Sequence, residues 1–234
     1  MKMPTLTGMF VSLSAVALLL GGCGGSYQAR SVEVKNALLV NPDILEKGTG
    51  EQALYRYRNP KVNPADYNKI LLEPVLVFKE AELSSGELEN YKKLANNFQL
   101  YLSQEISKQM VMTTEPGPGT LRFQAAIVDA DSSKPVRTIL SFTPYGIGIN
   151  LAKYATTGKQ TAVGEITVEM KITDAQTGEL LGDAIDRRVG GKNAKNISDV
   201  WSNADEALQY WANRLSYVLC MGKNLPGCMN PNDL

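Results

Sequence analysis

Apolar side chains recur at steps of three and four in two stretches of this 234-residue chain, the spacing of a helix with one buried face. Leu88, Tyr91, Ala95, Phe98, Leu102 and Ile106 form the first stripe, with Lys92, Asn96, Gln99 and Ser103 opposite. Ser84 and Glu87 precede it at capping-box spacing, so a helix is expected from there to about Gln109. Trp201, Ala204, Leu208, Trp211, Leu215 and Val218 form the second stripe.

Elsewhere the period falls to two. Ala162, Gly164, Ile166, Val168, Met170 and Ile172 alternate with polar residues, residues 174–178 supply a turn with Gly178, and 180–189 return as the partner strand. Leu121, Phe123, Ala125 and Ile127 alternate in the same way. The run KILLEPVLVF from Lys69 is almost continuously apolar, as in a strand buried on both faces, and Pro74 within it predicts an edge or a bulge. Together these elements predict an α+β fold: a two-layer domain over residues 33–219, mostly antiparallel sheet with both long helices on one face. Its opening part, 33–67, is rich in turn signals and reads as an irregular lead-in that partly wraps the domain.

Residues 137–158 fit this scheme poorly, being a long connection that is apolar where a loop should be polar. The 15 uncharged residues from 138 to 152, broken by Pro144, Gly146 and Gly148, are too few to span a bilayer as a helix. Either a short helix near 149–154 packs on the domain's own core, or part of the segment stays exposed as an interaction patch. Ile139, Leu140, Phe142, Tyr145, Ile147 and Ile149 are the candidate contact residues.

At the start of the chain, Lys2 precedes 12 uncharged residues, 9–20, as in a secretion signal. Leu20, Gly21, Gly22 and Cys23 then resemble the lipobox of bacterial lipoproteins. That resemblance implies a signal peptide over 1–22, cleavage before Cys23, and lipidation of Cys23, with 23–32 as lipidated residue and tether. Two or three acyl chains, at about 0.8 kcal/mol per buried methylene, make a lasting membrane anchor. Gly24 rather than Asp after the cysteine implies sorting to the outer membrane, facing the periplasm.

Charge and composition narrow the chemistry. The 24 basic and 24 acidic side chains leave no surplus for a nucleic-acid partner. No histidine is present, which removes imidazole from catalysis and from metal ligation. Cys220 and Cys228, flanking a Pro226-Gly227 turn, are expected to form a disulfide worth roughly 2.6 kcal/mol that pins a tail over 220–234; two separate thiols are the alternative. Asp183, Asp186, Arg187 and Arg188 share one strand, where Asp183 and Arg187 would face one way and Asp186 and Arg188 the other. An exposed ion-pair ladder is the expectation there, with a catalytic or sugar-binding cluster as the rival. Asp129 and Asp131 lack the further ligands of a calcium loop, and Gly146-x-Gly148 lacks the third glycine of a nucleotide loop. No catalytic residue, cofactor or metal is therefore expected.

Three phrases, YNKILLEPVLVF, ITDAQTGELLGDAIDRRVGG and DVWSNADEALQYWANRL, together resemble the proteobacterial lipoprotein family known as domain of unknown function three-three-one-three. The most specific part is D-x-x-T-G-E-x-L followed by D-R-R-x-G, carried by Asp174, Thr177, Gly178, Glu179, Leu181, Asp186, Arg187, Arg188 and Gly190. The resemblance covers about 33–219 and implies the localisation and fold above, but no activity. By looser analogy the layout is similar to docking modules on envelope lipoproteins. The expected function is a non-enzymatic docking or envelope-maintenance module with an envelope protein partner. A carboxylate-based cell-wall enzyme and a subunit of an envelope assembly or pore are the alternatives.

Overall fold

A computed structural model of the chain describes residues 26–32, 34, 37–79, 84–129, 138–143, 146–150, 165–189 and 200–233. Its strands are β1 (Tyr27–Gln28), β2 (Glu46–Lys47), β3 (Tyr55–Arg58), β4 (Lys69–Leu72), β5 (Leu76–Lys79), β6 (Val111–Met112), β7 (Thr120–Asp129), β8 (Thr138–Thr143), β9 (Gly146–Asn150), β10 (Glu165–Asp174) and β11 (Leu180–Val189). Helices α1 (Ser85–Ile106) and α2 (Val200–Gly222) complete the described layers. The capping box at Ser84 and Glu87 forms as the spacing requires, and α1 stops slightly short of Gln109.

The strands build one mixed sheet in the order β2-β3-β11-β10-β7-β5-β8-β9. β1 lies beside β3 along β11, and β4 continues the line of β5 along β7 with β6 at its side. Only the pairs of β4 with β6 and β7, and of β5 with β7, are parallel; the others are antiparallel. Antiparallel hairpins and one crossover through α1 account for this mixture, because parallel neighbours need a long connection. The fold is thus α+β, as the periodicities predict.

Pro74 sits at a bulge. Leu72 pairs with Phe123 and Leu76 with Ala126, so Glu73, Pro74 and Val75 stand opposite only Gln124 and Ala125. The proline costs the ladder no donor there, and the Val75 amide turns to Gln99 Oε1 on α1 at 3.0 Å.

Both helices cover the sheet face that carries Leu121, Phe123, Ala125, Ile127, Ile166 and Val168. Phe98, Leu102 and Ile106 of α1 are 0% exposed, and Leu208, Trp211 and Leu215 of α2 pack into the same core. A polar clasp joins the helices, with Asn97 Nδ2 and the Tyr101 hydroxyl each donating to Asp205 at 2.8 Å. Burial, and then the bond to Asp205, push the Tyr101 hydroxyl pKa up to about 12.

Residues 138–143 and 146–150 differ from the long connection that their composition suggests. They form the β8–β9 hairpin and extend the sheet beyond β5, with Ile149 in a strand rather than a helix. Glycines at every second position of β9 hide the alternation by which strands are read. Residues 151–154, the rest of the expected helix, lie outside the described residues.

Cys220 in the last turn of α2 and Cys228 beyond it are joined in a disulfide with Cα atoms 5.7 Å apart. The tail it holds brings Asn230 to Arg214 Nη1 at 3.2 Å and to Glu51 at 2.8 Å. Replacing Cys220 and Cys228 together by Ser should cost about 2.6 kcal/mol on the loop-entropy estimate. Thermal unfolding should register this as a fall of about 5–10 °C; an unchanged midpoint would mean that the tail adds nothing to the fold.

Candidate functional site

Strand β11 carries a polar sequence through the middle of the sheet, and cross-strand register sorts its side chains by face. Asp186 lies opposite Val168 and Arg188 opposite Ile166, which puts both on the helix-covered side. Asp183 lies opposite Lys171 and Arg187 opposite Thr167, which puts them on the outer side. The pairing of faces is the one expected, but the exposed ladder is not: Asp183, Asp186 and Arg188 are 4%, 3% and 7% exposed. The lead-in and α2 cover them, contacts that lie far away in sequence.

Asp186 receives donors from three directions. Trp211 Nε1 of α2 donates to its Oδ2 at 2.8 Å, while Gln28 Nε2 and the Leu54 amide donate to Oδ1 at 2.7 and 3.1 Å. Beside it Arg188 lies under the Tyr210 ring, 3.5 Å from its centroid, and donates to Ser26 through Nε at 3.0 Å and through Nη2 to the Ser26 carbonyl. Burial holds the Arg188 guanidinium below its ordinary pKa, while Tyr210 and Asp186 act the other way. Ser26 to Gln28, expected in the tether, are thereby fastened to the domain.

On the outer face Glu169, 3% exposed, accepts the Leu39 amide at 2.6 Å and the Leu38 amide at 2.9 Å. Asp183 accepts the Asn41 amide at 3.3 Å. These carboxylates satisfy the backbone of an irregular segment that has no ladder of its own. Arg187 forms a half-buried ion pair with Glu165. The catalytic or sugar-binding reading of this strand finds little geometric support, since Asp183 and Asp186 face opposite sides under their own chain.

A cavity of about 870 Å³ opens between the sheet and the C-terminal half of α2. Gly182 and Ala184 of β11 form its floor, and Met170, Ile172, Leu121 and Phe123 of the neighbouring strands form one wall. Trp211, Leu215, Val218 and Leu219 form the roof. Register sets Arg56 beside Ala184 and Arg58 beside Gly182, so both arginines stand at the mouth on the helix-covered side. Arg214, Lys223 and Glu51 also line it.

Of the residues singled out in the sequence, Ile139, Leu140, Phe142, Ile147 and Ile149 come together in the β8–β9 hairpin. Cys23, Tyr145 and Asp131 lie outside the described residues, and Asp129 ends β7. Among the described residues no cluster of His, Cys, Asp or Glu could hold a metal, and no helix is long and apolar enough to cross a membrane. Sequence reasoning missed Gln28, Arg56, Arg58 and Glu169. The available signal was the pair of small residues, Gly182 and Ala184, where the hairpin pattern calls for large apolar ones.

The chain belongs to the family described as Protein of unknown function (DUF3313), whose model matches residues 35–215. No curated protein matches it. Among solved structures, a PelC dodecamer from Paraburkholderia phytofirmans is similar, with 9% identity and a TM-score of 0.32 over 73% of this chain and 95% of that one. A DUF4136 family protein from Bacteroides thetaiotaomicron is similar, with 15% identity and a TM-score of 0.37 over 72% of this chain and 95% of that one. So is a DUF330 protein from Xanthomonas campestris, with 9% identity and a TM-score of 0.36 over 71% and 92%.

Burial raises the Glu169 pKa above the ordinary carboxylate value, against the lowering effect of the Leu39, Leu38 and Val40 amides, and the Asp183 charge adds to the rise. The folded state then holds this proton more tightly than the unfolded chain, so stability falls as pH climbs through the raised value. Glu169→Gln cannot lose a proton, so its stability relative to wild type should rise over the interval that begins at the ordinary carboxylate value and runs upward in pH. Paired denaturant titrations across that interval check this; a constant difference would contradict it.

Proposed function

We propose that the protein is an outer-membrane lipoprotein anchored through Cys23, with a non-enzymatic periplasmic domain that docks an extended segment of an envelope protein. The lipobox at Leu20 to Cys23 supports the anchor. Ser26 is already held by Arg188, so Gly24 and Gly25 alone separate it from Cys23, a reach of roughly 10 Å at about 3.3–3.6 Å per residue. Tyr27 pairs with Val189, at the same sheet end as Lys79, Asp129 and Glu165, and that end of the domain would rest against the bilayer.

The observation that carries the docking reading is β9. Among the described residues it pairs only with β8 and ends the sheet, and its sequence, GIGIN, has no charge. Edge strands normally carry lysines, prolines or bulges that discourage pairing, whereas a charge-free edge is a template for an added strand. Residues 146–150, part of the stretch singled out for contact, support this reading as the last strand among the described residues, and a second copy of the chain is the alternative occupant.

Crosslinking in the envelope with mass spectrometry tests both halves. Cys23→Ser should abolish normal processing and lipid attachment, and normal processing with retention in the membrane pellet would contradict the anchor. Ile149→Pro, which removes a backbone N–H that points away from β8, should leave the β8–β9 ladder intact while abolishing partner crosslinks. Undiminished crosslinks would contradict docking at β9.

A further inference from the structure

We propose that the cavity between the sheet and α2 binds one acyl chain that carries an anionic head group. This site is separate from the anchor and from β9, and stands or falls independently of the docking reading. Its volume of about 870 Å³ lies within the ~300–1,000 Å³ of small-molecule sites. Protein interiors normally close such spaces with large side chains. In this sheet Gly182 and Ala184 keep the floor low, and Met170 and Ile172 stay half-buried although they face the helix layer from a central strand. Val218 on the roof is 50% exposed. An apolar trough of this shape has the chemistry of a hydrocarbon chain's binding site.

The mouth specifies the charge of the head. Among the described residues Arg56 faces Glu46 across the β2–β3 pair without forming an ion pair with it, and Arg58 has no charged or hydrogen-bonding side-chain partner. Arg214 is shared between Glu51 and Asn230, and Lys223 donates to the Gln109 carbonyl. The lining carboxylates do not neutralise the two arginines. Asp186 is occupied by Trp211, Gln28 and Leu54, register puts Asp183 on the opposite face, and Glu51 is engaged by Arg214 and Asn230. Paired guanidinium groups match a carboxylate or phosphate, and a cationic head would be repelled. A fatty acid and a phosphate-headed single-chain lipid share this chemistry.

Trp211 lines the cavity and reports on it. The chain from residue 23 onward with Cys23→Ser, made without residues 1–22 and purified without detergent, is suitable for titration. Brominated dodecanoate should quench tryptophan fluorescence saturably at one equivalent, and dodecyl phosphate should compete for the same site. Tighter binding of the phosphate would assign the lipid source, and tighter binding of the carboxylate the fatty-acid source. Dodecyltrimethylammonium should bind at least about tenfold more weakly than dodecanoate. Arg56→Ala with Arg58→Ala should weaken the anions by about tenfold or more while leaving dodecanol within about twofold. Ala184→Leu, checked for folding by circular dichroism, should block all of them. No saturable quenching, equal affinity for the cationic amphiphile, or unchanged anion binding in the double arginine variant would overturn the proposal.

Discussion

A carboxylate buried between a sheet and a helix is tolerable only if nearby groups supply the hydrogen bonds that water has lost. Asp186 meets that condition with the Trp211 indole, the Gln28 amide and the Leu54 backbone, three donors from separate parts of the chain. The constraint runs both ways. The Trp211 indole is itself withdrawn from water, and left unsatisfied it would cost about 1–3 kcal/mol. The N-terminal segment, the loop ahead of β3 and α2 are therefore positioned by one strand, with Arg188 reinforcing the arrangement through Ser26 and Tyr210.

The same strand shapes the rest of the site. Its helix-side positions are Gly182, Ala184, Asp186 and Arg188, so beyond Leu181, which the register shift near Leu180 brings into the core, β11 presents no large apolar side chain to α2. One end of the α2 interface is closed by the Asp186 bonds, and the other stands over small residues as a cavity. On the outer face Glu169 and Asp183 provide acceptors for the irregular lead-in. Polar residues of β10 and β11 hold the N-terminal segment and α2 against the sheet, while β9, without a charge, ends it among the described residues.

Elements governed by local chemistry were legible in the sequence. The Ser84 capping box, the two helix stripes, the Asp174 to Gly178 turn, the Pro74 bulge and the Cys220–Cys228 bridge each depend on neighbours in the chain. What escaped depends on distant neighbours. An alternating Asp-x-x-Asp-Arg-Arg strand reads as exposed until Ser26, Gln28, Asn41 and Leu54 are known to lie against it, and the period-two signal vanishes where Gly146 and Gly148 replace side chains. The Arg56 and Arg58 mouth required the register between β3 and β11, which no local pattern carries.

Hydrogen exchange followed by mass spectrometry in wild type and Asp186→Asn tests most directly whether one carboxylate couples the N-terminal segment to the domain. An asparagine keeps one acceptor oxygen and replaces the other with a donor, so the three-way arrangement cannot survive. Slow exchange at the Ala29 and Leu54 amides in wild type is expected, with both accelerating together in the variant and the α1 amides unchanged. Fast exchange at Ala29 in wild type, or acceleration at Leu54 alone, would contradict the account.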